Sequence, residues 1–187
     1  MIPTALTIAG SDPSGGAGIQ ADLKTFHQRG VYGTSVITLI TVQNTQRVSA
    51  VEIMSAKLVA DQLDAVLEDI PPAAAKTGAL GSPEIVKLIA QRAAQFNFPL
   101  VVDPVMISKH GQPLMTEPAR TEFARLLAPC AFLITPNMYE ASELAEGRIR
   151  YLPVSADSDR AYAWNRVHLL RMHSCGTRER ARSGRSR

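Results

Sequence analysis

From Thr4 to about Gly147, short apolar runs take turns with longer amphipathic stretches, an order that few folds accept. Thr4–Ala9 is a compact apolar run stopped by Gly10 and reads as a buried strand. Residues 16–29 read as a helix with Ile19, Leu23 and Phe26 on one face and Gly30 at its end. Ser35–Val42, rich in β-branched residues, suits a second strand. Ser55 is placed to cap a helix running to about Glu68, with Leu58, Val59, Leu63, Val66 and Leu67 as its stripe. Ala73–Thr77 is a short strand, and Ser82 followed by Pro83 opens a helix through about Gln95. Leu100–Val102, a helix over Thr116–Leu127, a strand over Phe132–Thr135 and a helix over Asn137–Glu146 complete the pattern. Strands separated by single helices imply right-handed crossovers and a mainly parallel sheet covered on both faces, a three-layer α/β/α arrangement.

Sheets of this kind bind ligands beyond the C-terminal ends of their strands. Polar residues follow each apolar run: Gly10-Ser11-Asp12, Gln43-Asn44-Thr45, Lys76-Thr77-Gly78, Asp103, and Thr135-Pro136-Asn137. Five clusters are thus expected on one rim. The Gly10–Gly18 loop leads into a helix N-terminus, whose N–H groups favour polar or anionic ligands. It has neither the lysine nor the spacing of a Walker loop, and a plain strand–helix turn explains its composition equally well. Asp22, early in the following helix, reads most simply as a partner of the helix dipole. Gln43 and Asn44 have amides suited to a heterocycle edge, although Asn44 alone reads better as a turn residue. Asp103 is a hard oxygen ligand suited to Mg²⁺. Asn137 and Glu140, three apart at a helix start, can face the same rim, or can serve simply as helix cap and dipole partner.

Composition narrows the classes. No run of eighteen apolar residues appears, so no membrane span is expected, and Met1–Gly10 lacks the features of a signal peptide. Two cysteines, Cys130 and Cys175, provide no disulfide framework and fit a cytoplasmic protein. The four histidines, His27, His110, His168 and His173, lack metal-ligand spacing, and none reads as a catalytic base. The net charge of +3 conceals two regions: residues 1–147 hold 10 Lys and Arg against 14 acids, whereas residues 148–187 hold 10 Arg, no Lys and three acids. The basic balance belongs to the second region. It reads as a disordered tail with one short apolar patch, Val167–Leu170, and no specific nucleic-acid contact is expected of it.

The string Ala9-Gly10-Ser11-Asp12-Pro13-Ser14-Gly15-Gly16-Ala17-Gly18-Ile19-Gln20-Ala21-Asp22-Leu23-Lys24 resembles the N-terminal signature of hydroxymethylpyrimidine and phosphomethylpyrimidine kinases. Thr41–Thr45, Lys76-Thr77-Gly78, Val102–Met106 and Thr135–Glu140 resemble that family in order and approximate spacing. Pyridoxal kinases share the fold and some of these motifs but are less similar in the first segment. The resemblance implies a ribokinase-like domain over residues 1–147. It also implies phosphorylation of 4-amino-5-hydroxymethyl-2-methylpyrimidine and its monophosphate by ATP with Mg²⁺, in thiamine biosynthesis. It places Gly10, Asp12, Ala17, Asp22 and Gln43 around the pyrimidine, with Gln43 reading the ring. Asp103, Asn137 and Glu140 are left to organise Mg²⁺ and the phosphates.

The resemblance stops at about Gly147. The family's Gly-Thr-Gly-Cys-type loop, an anion hole carrying the residue that activates the hydroxyl, has only a superficial counterpart in Ser174-Cys175-Gly176-Thr177. No catalytic residue is therefore assigned. The sheet is expected to be incomplete on its C-terminal side, residues 148–187 to be a frame-shifted or unrelated tail, activity to be doubtful, and a homodimer to cover the exposed edge. A non-catalytic pyrimidine-binding fragment and a pyridoxal kinase are the alternatives.

Overall fold

The computed structural model describes residues 2–108 and 111–144. In chain order the elements are β1 (Thr4–Ser11), α1 (Gly18–Gln28), β2 (Tyr32–Gln43), β3 (Val48–Ile53), α2 (Ala56–Asp69), β4 (Ala74–Thr77), α3 (Pro83–Ala93), β5 (Leu100–Val102), α4 (Glu117–Glu122), β6 (Leu133–Ile134) and α5 (Met138–Leu144). Among the described residues, six strands form one sheet in the order β3-β2-β1-β4-β5-β6. All neighbours are parallel except β2 and β3. The chain builds outward from β1 to β3, then crosses back to β4 on the other side of β1. Between β1 and β4 the direction of winding reverses, and such a reversal opens a crevice at the strand ends.

The helices divide between the two faces because strand side chains alternate. Leu6 and Ile8 join a core with Val59 and Leu63 of α2, Ile85 and Ile89 of α3, and Phe123. Thr7, between them, faces the opposite side, where it meets α1. Expected helix starts are realised: Ser55 Oγ accepts from the Leu58 N–H at 3.2 Å, and Ser82 Oγ from the Ile85 N–H at 3.3 Å with Pro83 in the first turn.

Two departures have physical reasons. Val48–Ile53, absent from the expected strands, pairs antiparallel with β2. Its pattern alternates weakly, and its strand character comes from the hairpin. There the Asn44 side-chain oxygen accepts from the N–H groups of Gln46 and Arg47, both at 2.9 Å, and the Asn44 N–H donates to Arg47 at 3.0 Å. The helix expected over Thr116–Leu127 remains regular only as α4. A widened turn, Phe123–Leu127, and a 3₁₀ turn, Ala128–Cys130, follow it, and Phe123 and Leu127 are both fully buried.

Candidate functional site

The loop after β1 is organised by one carboxylate. Asp12, only 4% exposed, accepts from the Ser14 N–H (2.8 Å), the Ser14 hydroxyl (2.7 Å), and the N–H groups of Gly16 (3.1 Å) and Ala17 (2.9 Å). Burial pushes its carboxyl up, but the hydrogen bonds from Ser14, Ala17 and Gly16 together outweigh burial and hold it below the ordinary range. The Gly16 and Ala17 N–H groups are therefore committed to Asp12. The open anion cradle expected of this loop is narrower by those two donors. Gly18, with φ +56°, lies so close to the Gly10 carbonyl that a Cβ there would overlap it, so glycine seats the helix start against β1. A Cβ on Gly10 would in turn meet the Leu39 side chain at 2.5 Å.

Gln43 closes β2 and is tied to the end of β1. The Thr41 hydroxyl bridges to the Ser11 carbonyl (2.9 Å) and the Gln43 Oε1 (3.2 Å). Gln20 completes the tie, with Nε2 donating to Ser11 Oγ at 2.7 Å and Oε1 accepting from the Asp12 N–H at 2.8 Å. The Thr41 hydroxyl thus holds the Gln43 amide by its oxygen. Asn44 is a turn residue, as its own sequence context suggested.

Asp22 is not a dipole partner. It stands beyond the first turn of α1, accepting a hydrogen bond from the Thr7 hydroxyl at 2.6 Å and two from Lys76 Nζ at 3.0 and 3.1 Å. Lys76 Nζ also lies 3.9 Å from Asp103 Oδ2. Burial raises the Asp103 carboxyl above its usual range, Lys76 opposes this and Asp22 adds to it. Glu140, 4% exposed, is raised as well, first by burial and further by Asp103, against the N–H of Asn137. Asn137 and Glu140 form a reciprocal capping box, each side chain accepting from the other's N–H at 2.9 Å. The cap reading is realised, and Glu140 so placed feels the charge of Asp103.

The structure thus joins Asp22 and Asp103 through Lys76, and the Asp103 charge acts on Glu140. Gly10, Asp12 and Gln43 cluster at the ends of β1 and β2. Thr7, Gln20 and Lys76 carried no assigned role in the sequence. The polar Thr7 within an apolar strand, and a lysine ending the short strand Ala73–Thr77, were the available signals. Among the described residues no group of three or more His, Cys, Asp or Glu side chains is placed to hold a metal unaided. The Asp103 and Glu140 pair nonetheless fits Mg²⁺, which takes one or two carboxylates and completes its shell with water and phosphate oxygens. A cleft of about 350 Å³ between β3 and residues 113–120 contains none of these rim residues. His27 is exposed on α1. The Ser174–Thr177 stretch, His110, His168, His173 and the whole Arg-rich tail lie outside the described residues.

A three-layer α/β/α sheet with polar residues gathered at the strand ends defines a ribokinase-like protein. The chain matches the phosphomethylpyrimidine kinase family over residues 12–166, and it belongs to that family. It is 48% identical over 160 residues to a hydroxymethylpyrimidine/phosphomethylpyrimidine kinase of Synechococcus elongatus, covering 86% of this chain and 60% of the relative. The crystal structure of a phosphomethylpyrimidine kinase from Clostridium difficile superposes with a TM-score of 0.74 at 52% identity, over 80% of this chain and 65% of that one. A pyridoxal kinase from Staphylococcus aureus, solved with AMP-PCP and pyridoxal, gives 0.69 at 36% identity over 78% and 52%. The chain spans about half the length of many of the curated relatives it matches.

Proposed function

We propose that this chain carries the pyrimidine and metal half-sites of a hydroxymethylpyrimidine/phosphomethylpyrimidine kinase. The substrate is 4-amino-5-hydroxymethyl-2-methylpyrimidine, with its monophosphate as a second substrate, in thiamine biosynthesis. The observation that carries the reading is the contact between two unlike groups of residues at the β1–β4 crevice. Through Lys76, Asp22, on the helix that follows the Gly10–Gly18 loop, is joined to Asp103. In this reading the Gln43 amide meets the ring edge and Gly10 and Ala17 let the ring approach the backbone. Asp12 holds their loop in shape. Asp103 and Glu140 hold Mg²⁺, with Asn137 keeping Glu140 in place. Bound Mg-ATP supplies the phosphoryl group and neutralises its charge; the residues named here bind and orient.

No described residue is assigned to the anion hole, and the family match ends at residue 166. Loss of one such donor lowers rates by about 10²–10³. Turnover is therefore expected below the ordinary kinase range of about 1–100 s⁻¹. A coupled ADP-release assay together with calorimetry tests this. Pyrimidine binding with slow, pyrimidine-dependent ADP release is expected; absence of pyrimidine binding would defeat the reading. Binding without any ADP release would favour the non-catalytic alternative. Faster turnover on pyridoxal than on the pyrimidine would favour a pyridoxal kinase, for which the pyridoxal-bound neighbour speaks. The reading also places the protein in the cytoplasm as a homodimer, which gel filtration of the purified chain would check.

A further inference from the structure

Lys76 stands at the centre of the rim, and the reading above gives it no task. We propose that Lys76 is a positioning residue for pyrimidine binding: its ammonium fixes the Asp22 carboxylate and ties it to Asp103, holding the pyrimidine and phosphate half-sites at one separation. The proposal rests on the kinase reading of this rim.

The placement follows from topology. β1 and β4 flank the crevice, and their register pairs Thr7 with Lys76, so both side chains leave the sheet on the face covered by α1. Asp22 comes down from α1 onto that pair. Its oxygens accept three hydrogen bonds, at 2.6, 3.0 and 3.1 Å, of the roughly four a carboxylate can take. Oδ2 takes two of them and Oδ1 only one, so one acceptor site on Oδ1 remains for a ligand N–H. The Asp22 side chain is 16% exposed and that of Lys76 25%, so water competes weakly for either charge. Toward Asp103 the separation of 3.9 Å is too long for a hydrogen bond and short enough for strong attraction. Asp103 is thereby held near Asp22 while its oxygens stay open to other partners. Among the described residues, no other cation lies within ion-pair distance of either carboxylate. Without Lys76, Asp22 and Asp103 would repel across the crevice, and Asp22 would turn toward solvent.

The test uses the full chain with Lys76→Met and Lys76→Arg. Calorimetry measures affinity for 4-amino-5-hydroxymethyl-2-methylpyrimidine and, separately, for Mg-ATP, alongside a melting curve. Lys76→Met should weaken pyrimidine binding at least about tenfold, as removal of one member of a half-buried pair does, while Mg-ATP affinity changes less. Lys76→Arg, which keeps the charge and can bridge both Asp22 oxygens, should recover most of the loss. A lysine that only stabilises the fold would lower the melting temperature and leave both affinities unchanged. That result overturns the proposal. If Lys76→Met fails to fold, Thr7→Val decides. It removes the other Asp22 hydrogen bond without touching charge and should also weaken pyrimidine binding; an unchanged affinity overturns the proposal. A wild-type chain that binds no pyrimidine defeats the kinase reading itself, and the positioning role with it. Wild-type binding with unaltered variants removes the positioning role alone.

Discussion

Each hydrogen bond that Asp12 accepts comes from its own loop, from Ser14, Gly16 and Ala17, so the side chain fixes the shape of that loop. Asp12→Ala leaves the Gly16 and Ala17 N–H groups without partners, and a loss of about 2 kcal/mol is expected in chemical denaturation, as for a lost charged cap. The pH dependence has a definite sign. Because the folded carboxyl of Asp12 lies below its unfolded value, its contribution is complete above the usual carboxylate range and fades as pH falls through the lowered value. Asp103 and Glu140 act oppositely. Their raised carboxyls favour the folded state while protonated, and that contribution is lost as pH rises through the raised values. Metal-free Asp103→Asn should therefore melt above the wild type at neutral pH and lose this advantage in acid. A lower melting temperature at neutral pH would contradict the assigned burial effect. None of this was legible beforehand: composition showed three acids near strand ends, and only the folded chain separates the one stabilised as a charge from the two that resist it.

Elements were legible where local rules decide them. Ser55 and Ser82-Pro83 mark helix starts by chemistry confined to a few residues, and both helices begin there. β3 was not legible, because Val48–Ile53 becomes a strand only when the Asn44 turn lays it against β2. Asn44→Ala removes two hydrogen bonds of that turn, so a loss of about 1 kcal/mol is expected, with faster amide exchange confined to β2 and β3. The Asn137–Glu140 box shows a different limit. Its two residues fit a helix cap and a rim site equally well in sequence, and in the structure the cap is formed. Asn137→Ala removes the acceptor of the Glu140 N–H but keeps the Asn137 N–H that donates to the Glu140 carboxylate. It should lower stability by about 1 kcal/mol and, by loosening the first turn of α5, weaken Mg²⁺-dependent nucleotide binding. Unchanged nucleotide affinity would confine Asn137 to the helix.

At the scale of the molecule, strand order governs which parts hold together longest. The alternation of runs showed that the sheet would be parallel, but it could not show that β1 lies between β2 and β4, because register is settled by packing between residues far apart in the chain. The Asp22–Lys76 link, 54 residues apart, is the clearest case: no spacing rule points to it. β1 is paired along both sides, with Leu6 and Ile8 fully buried beneath it, whereas β6 holds two residues and pairs with β5 along one side. Exposing a β1 amide requires breaking two ladders and opening the core shared with α2 and α3. Among the described residues β6 is held by one short ladder, and Phe132 beside it is already 78% exposed. Native-state hydrogen exchange should therefore place β1 and β4 in the slowest class, opening with the global unfolding free energy, of order 5–15 kcal/mol. β6 and α5 should exchange several kcal/mol more easily. Pyrimidine binding adds protection only where the ligand bridges elements, so the gain is expected at the Gly10–Gly18 loop and α1. Uniform protection across all six strands, with or without ligand, would mean that the rim and the β6 side open as one unit, and that the crevice between β1 and β4 is no seam in the fold.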